Sequence, residues 1–411
     1  MKILQINALY GNKSTGSIVR DIHLMLKDSS EESKVVCVSS IGQTDGVIEL
    51  GYGISNKLHA VITRLNGKQG FYSKSSTRKL ISLIDGDSPD VIHLHNTHSN
   101  FLNLPIIFDY AAKNKIPVML TLHDAWYFTG KCYHFLDNGC DRWLTECHDC
   151  PKRKADIPSL LFDNSNKVFK SKGEMYSSVD LHVVGCSEWI TDCARQSPLF
   201  KNASFYQIYN GVDSSVFNPS VSDLKDELGL DGDFTVLTMA NKWFEPKNEA
   251  TARAVLSLLE ELHGRLIIVG CDDVQKDSYK DNERVISLGY VTDRVYMARL
   301  YKTADVFLNL TLVDTLPTVN IESAMCGTPI VTYNSGGSGE LVLNGVTGFI
   351  TEPLDTDAAI SAIKKVYDGS IERNACSEWA CSRFEKNTNY LKYLDLYRKI
   401  YESKKVSANG K

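Results

Sequence analysis

VDTLPTVNIE, Val313 to Glu322, sets two carboxylates eight positions apart across a turn that carries Pro317. Upstream, Ala304 to Leu310 reads as a buried strand; downstream, the small residues Ser323 to Pro329 lead into the apolar pair Ile330-Val331. Asp314 therefore falls just past a strand end, and Glu322 in the first turns of a helix. That is where an open α/β sheet binds ligands. Two acceptor-only side chains there suit a ligand rich in hydroxyls, such as a sugar and a ribose. Free amides at the helix start suit a phosphate between them. Acids are also favoured near a helix N-terminus for its own sake, so the rest of the chain decides between the two readings.

Outward from this stretch the chain alternates short apolar runs with helical patterns. In the second half, strands are expected at Phe234–Ala240, Arg265–Val269, Val285–Leu288, Val306–Leu310, Pro329–Tyr333 and Gly348–Ile350. In the first half they are expected at Lys2–Leu9, Ser33–Val38, Val91–His95, Val118–Thr121 and His182–Cys186. Ile18, Ile22 and Leu26 recur at helical spacing and predict a helix over Gly16–Lys27. Short β-like runs alternating with helices imply a parallel sheet. The two series meet near Ile208–Phe217, where Asn210-Gly211 is a turn signal. The expected organisation is an α/β chain of two Rossmann-like domains with a cleft between them. The domains are residues 1–207, with a Cys-rich loop at 126–152, and 208–387. A Tyr/Leu-rich helix follows in 388–411, its pattern running over Thr388–Lys404.

The 411 residues are enough for two or three cores. A net charge of −5 argues against general nucleic-acid binding. No apolar run approaches the ~20 residues that span a bilayer, and MKILQINALYG at the N-terminus reads as a buried strand without a signal-peptide cleavage region. The expected compartment is cytoplasmic, so the eleven cysteines are read as reduced thiols or metal ligands.

Several further positions carry possible chemistry. Gly11 and Gly16 have P-loop spacing, but Ser17 stands where that motif needs Lys. The turn is either a plain strand–helix connection capped by Ser14 or Thr15, or one in which Gly16 lets the backbone approach a diphosphate. Arg20, one turn on, is either an added charge or a surface residue. Strand ends at His95-Asn96 and at His123-Asp124 set polar side chains where a cleft would open; Asp124 would orient His123 or cap the next segment. Lys242 and Lys247 lie five apart on a turn leading to a helix, as surface charge or as a phosphate clamp. Cys132, Cys140, Cys147 and Cys150 cluster in nineteen residues and suggest tetrahedral zinc. His134 and His148 are spare ligands, and two disulfides or a redox pair at Cys147/Cys150 are the alternatives. Residues 50–84 contain no Asp or Glu but do contain Lys57, Arg64, Lys68, Lys74, Arg78 and Lys79. They read equally as a solvated helical face or as a contact for an anionic membrane or a lipid-diphosphate acceptor.

Taken in order, the glycine turn, TLHD at 121–124, IYNGVD at 208–213, the lysine pair and D-x7-E resemble the retaining glycosyltransferases of family 4, which have the GT-B fold. The loop WYFTGKC…GCDRW…CHDCP resembles a bacterial polysaccharide subgroup that includes the colanic acid type. The resemblance covers nearly the whole chain, through motif order and spacing. It departs at Asp314, where the family has Glu, and at Lys242, where Arg is more frequent. It implies transfer of a hexose from a nucleotide-sugar donor to a glycan or lipid-linked acceptor, in O-antigen, capsule or exopolysaccharide synthesis. Catalytic roles would fall to His123, Asp314 and Lys247. Gly16, Lys242, Lys247, Asp314, Thr318 and Glu322 would hold the donor, and His95, Asn96 and Asp124 would face the acceptor. Transfer would need no metal, since the lysines and helix amides would stabilise the leaving diphosphate; a structural zinc would brace the cysteine loop. The last helix would cross back onto the first domain, with the protein peripheral on the cytoplasmic face of the inner membrane. A sugar-nucleotide epimerase or phosphorylase on the same fold, or a catalytically degenerate partner subunit, are the alternatives.

Overall fold

The structure, a computed structural model, describes residues 1–42, 44–230 and 232–409. The chain divides into two compact units: Met1–Tyr209 together with the chain from Asn387 on, and Asn210–Lys386.

The first unit holds β1 (Lys2–Ile6), β2 (Leu9–Tyr10), β3 (Glu32–Cys37), β4 (Ser39–Ser40), β5 (Val47–Glu49), β6 (Val91–Leu94), β7 (Val118–Leu122), β8 (Leu181–Gly185) and β9 (Ser204–Gln207). Seven of them form one sheet in the order β5-β3-β1-β6-β7-β8-β9, while β2 and β4 pair separately. Every pairing is parallel. β6, β7 and β8 are buried at every position, which is why they read as unbroken apolar runs rather than alternating ones. Helix α1 (Lys13–Asp28) packs Ile18, Ile22 and Leu26 against this sheet. The helix Lys386–Asn409 adds Tyr390, Tyr393, Leu394, Leu396, Tyr397 and Ile400 to the same core.

The second unit is one parallel sheet of β10 (Thr235–Met239), β11 (Arg265–Val269), β12 (Val285–Leu288), β13 (Val306–Asn309), β14 (Ile330–Tyr333) and β15 (Gly348–Thr351), in the order β12-β11-β10-β13-β14-β15. Its core joins Val236, Leu266, Ile268, Val306, Leu308 and Val331 of the strands to Val255, Leu258 and Leu259 of the helix Glu249–Glu261.

Both sheets reverse direction once. In the first the chain runs outward from β1 to β3 and β5, then returns to the other side of β1 as β6. In the second it runs from β10 to β11 and β12, then returns beside β10 as β13. Where the order reverses, the connections after the two central strands leave toward opposite faces and open a crevice at the carboxyl edge. Among the described residues no helix is long and apolar enough to cross a membrane.

Candidate functional site

In the second unit the reversal lies between β10 and β13, and the expected donor residues follow these two strands. Lys242 sits in the short helix Ala240–Trp243 directly after β10, and Lys247 in the tight turn Pro246–Asn248 before the next helix. Neither ammonium has an ion-pair or hydrogen-bond partner among the described residues, and Lys247 is exposed. The turn between them is tied down by Asn248, which is fully buried. Its amide donates to Lys242 O at 2.8 Å and to Leu310 O at 2.7 Å, joining the lysine turn to the end of β13. Asn248 was missed in the sequence because an Asn before a helix reads as a cap; its bond to a strand end sixty-two positions on leaves no local pattern.

After β13 the chain turns through Asp314 and starts the helix Thr318–Met325, with Pro317 at the cap position. Asp314 Oδ1 accepts from the Leu316 amide at 3.1 Å, which tightens the turn. Gly337 donates its amide to Asp314 O. Gly336 has φ +58°, and a Cβ there would meet that same oxygen at 2.0 Å, so only glycine fits. Thr318 is the first helical residue, half-buried; the hydroxyl of Thr315 and the amide nitrogen of Asn320 are buried without a partner. Glu322 is buried. Arg294 approaches Oε1 at 3.4 Å and the Tyr301 hydroxyl donates to Oε2 at 3.2 Å, both from the helix Arg294–Thr303. Burial pushes the Glu322 carboxyl above the usual range, against the pull of Arg294 and Tyr301. Arg294 and Tyr301 escaped the sequence reading; their spacing of seven on one helix face was the available signal.

In the first unit the reversal lies between β1 and β6. Gly16 is buried in the first turn of α1, which starts at Lys13 with Asn12 at the cap position, not at Ser14 or Thr15 as the sequence suggested. A Cβ on Gly16 would come within 3.2 Å of the Leu9 backbone, so close helix–strand packing by itself favours glycine. Arg20 pairs with Asp21. At the end of β6 the Asn96 amide donates to Asn7 Oδ1 at 3.0 Å, joining the edges of β1 and β6.

His95 and His123 stack with ring centres 5.5 Å apart, and His95 Nδ1 lies 3.2 Å from His123 Nε2. Gln5 Oε1 stands 3.2 Å from His95 Nε2. With the amide oxygen on that side, His95 carries its proton on Nε2, and its bare Nδ1 accepts from His123 Nε2. Burial first, and neighbouring histidines second, hold His95 well below the ordinary imidazole range; burial lowers His123 to about 4. A neutral His123 then keeps a lone pair on Nδ1, which has no partner among the described residues. Behind them His93 Nδ1 meets the Tyr397 hydroxyl at 2.6 Å and Nε2 meets Thr121 Oγ1 at 2.7 Å. Asp124 does not orient His123. It accepts from the Trp126 amide and pairs with His98, each at 2.8 Å. Burial would raise this carboxyl, but His98 and the Trp126 amide hold it below the usual range.

The zinc site expected at Cys132, Cys140, Cys147 and Cys150 is not formed. Among the described residues no three His, Cys, Asp or Glu side chains are grouped to hold a metal ion, and all four thiols are free of disulfides. The loop is held by other means. Lys131 Nζ donates to the carbonyls of Lys152 and Arg153 at 3.1 and 2.9 Å, and the buried Lys172 donates to those of Trp126 and Thr129. Asp163 accepts from the Cys150 and Ser165 amides, and Phe135 and Trp143 pack with ring centres 4.7 Å apart. Burial pushes the Cys132 and Cys147 thiols up to about 11 and about 12.

Residues 220–383 match the family described as Glycosyl transferases group 1. The chain is 22% identical over 364 residues, 83% of this chain and 85% of the other, to WcaC of Escherichia coli K12, a protein provisionally named as a colanic acid biosynthesis glycosyl transferase. It is 28% identical over 208 residues, 47% of this chain and 53% of the relative, to the UDP-Gal:alpha-D-GlcNAc-diphosphoundecaprenol alpha-1,3-galactosyltransferase of Escherichia coli. Its fold is similar to that of sucrose-phosphate synthase from Thermosynechococcus elongatus, with a TM-score of 0.70 at 16% identity over 98% of this chain and 99% of that one.

Proposed function

We infer that this chain, a GT-B glycosyltransferase with a group 1 domain over residues 220–383, transfers a hexose from a nucleotide-sugar donor with retention of anomeric configuration. The acceptor is a glycan or lipid-diphosphate-linked glycan of bacterial surface polysaccharide synthesis. The observation that carries this reading is in the second unit: two lysines without partners follow β10, two carboxylates follow β13, and Asn248 ties the two turns together. Cations beside helix amides suit a diphosphate, and acids a few residues away suit hydroxyls.

In this reading Lys242 and Lys247 neutralise the departing nucleoside diphosphate, as point charges rather than bidentate clamps. Glu322 holds the ribose hydroxyls. Asp314, Thr318 and the turn amides hold the sugar. His123 presents its Nδ1 lone pair to a sugar hydroxyl, Gly16 lets the backbone approach the donor diphosphate, and His95, Asn96 and Asp124 face the acceptor. Retention proceeds by front-face attack within the ion pair. The relative that acts on a diphosphoundecaprenol-linked sugar supports a lipid-diphosphate acceptor, and with it peripheral work at an anionic membrane through residues 50–84.

A thermal-shift screen of nucleoside diphosphates and their sugars tests the donor site, followed by titration of variants against the best ligand. Lys247→Ala weakens the bare nucleoside diphosphate about ten- to more than a hundredfold, the cost of a lost charged hydrogen bond. Asp314→Ala leaves that affinity nearly unchanged while transfer falls. Equal weakening in both variants would show that the division between diphosphate and sugar is wrong. Turnover of a nucleotide sugar or a sugar phosphate without a glycan-lipid acceptor would point to an epimerase or phosphorylase instead.

A further inference from the structure

Helix α2 (Ile54–Asn66) is built the wrong way round for a surface helix. Its buried residues are the polar Asn56, His59 and Thr63. His59 bridges Ser73 Oγ at 2.7 Å and the Gly70 amide at 3.4 Å. The opposite face carries Ile54, Leu58, Val61 and Leu65, exposed by 85%, 57%, 54% and 39%. Spacings of four, three and four put these on one stripe. A surface helix normally turns such a stripe to the core, and here the core already has its polar side.

A second segment extends the stripe. The Leu160 and Leu161 amides donate to the carbonyls of Arg64 and Leu65, both at 2.9 Å, fastening residues 160–162 to the C-terminal end of α2. Leu161 and Phe162 stand 61% and 64% exposed beside Leu65. The result is an apolar ridge of at least six large side chains, longer than the scattered exposed residues of an ordinary surface. Lys57 and Arg64 are exposed on the same helix, and Lys74, Arg78 and Lys79 on the next one, Lys74–Ile84. No acid interrupts residues 50–84, although the whole chain carries a net charge of −5.

We propose that α2 and the loop 160–162 form a membrane-insertion ridge, which lies in the plane of an anionic bilayer with its apolar side chains among the acyl chains and its lysines and arginines at the headgroups. The charge pattern selects this occupant. A basic rim is complementary to anionic lipid, whereas a second copy docking on the same face would set two basic rims against each other. The proposal deepens the membrane-side reading above and names the residues that carry it.

Sedimentation of the whole chain with vesicles of phosphatidylcholine alone, and of equimolar phosphatidylcholine and phosphatidylglycerol, tests it. Binding is expected to the anionic vesicles, to fall as salt is raised, and to be weak on the neutral ones. Leu58→Asp and Phe162→Asp each lower the partition coefficient roughly tenfold to a hundredfold, the loss expected for withdrawing one large apolar side chain. Both sites are exposed, so thermal unfolding and the nucleoside-diphosphate shift stay at wild-type values; these also show separately whether the donor-site reading holds. A wild-type chain that stays in the supernatant with anionic vesicles overturns the proposal. So does binding that neither variant weakens, or a dimer that Leu58→Asp converts to monomer without vesicle binding.

Discussion

Glu322 is held by two groups that do different things. Tyr301 donates a hydrogen bond, Arg294 supplies charge, and burial works against both, so that the carboxyl titrates above its ordinary range. A group whose folded-state value lies above the unfolded one is less happily ionised in the native chain. The stability it contributes is therefore full below the unfolded value near 4.5 and is lost as pH rises through the folded one. Glu322→Gln removes that burden while keeping an acceptor and a donor in place. The variant is expected to unfold at equal or higher denaturant concentration than the parent at pH 7, yet to bind nucleoside diphosphate about tenfold or more weaker. A variant that is both less stable and fully competent in binding would show that Glu322 serves the fold and not the ligand. The two acids themselves were legible, because a strand, a turn and a helix start fix where they stand. Their neighbours Arg294 and Tyr301 were not, since they arrive from a helix that no local pattern joins to Glu322.

At the scale of elements, the central strands declared themselves as apolar runs, as did the second sheet's edges β12 and β15, whereas the first sheet's edges did not. Arg265–Val269 and Val285–Leu288 run as expected, and β1 is shorter than Lys2–Leu9 because the chain bends at Ala8 and resumes as β2. β5 and β9 are edge strands, only half-buried and partly polar in sequence, so they lack the run that burial on two faces imposes. Helix α2 shows the same limit from the other side: the acid-free stretch 50–84 marked a helical face but could not tell which residues of that helix turn inward. What fixes its orientation is His59. Burial lowers this imidazole to about 4, and in the neutral form it donates to Ser73 and accepts from Gly70. The unfolded chain holds a proton on this residue up to about pH 6.5, so between those values unfolding takes up a proton and stability falls as pH falls. The loss from His59 alone is on the order of 3 kcal/mol on going from pH 7 to pH 4. Denaturant titrations across that range should show it, and His59→Gln, which retains a donor and an acceptor, should flatten the slope. An unchanged slope in the variant would assign the acid sensitivity to His93, His95 and His123 instead.

For the molecule as a whole, the decisive feature is that the second unit is inserted in the first. The chain leaves the first unit after Tyr209 and re-enters it at Asn387. Val212 pairs with Glu385, and a Cβ on Gly211 would stand 2.4 Å from Lys386 Cα, so exit and return run side by side. Residues 210–386 are therefore expected to fold alone as a monomer with cooperative thermal unfolding. A chain ending at Lys386 keeps that transition but loses the first unit's own, because Tyr390, Tyr393, Tyr397 and Ile400 leave its core. A truncated chain that retains both transitions would refute this dependence. The consequence reaches into synthesis on the ribosome. The inserted unit has all its strands by Thr351 and can close while translation continues, whereas the part made first must wait, apolar seam open, for the part made last. Residues 1–209, made before the inserted unit, thus become native after it, and throughout that interval the nascent chain depends on whatever shields exposed apolar surface in the cell.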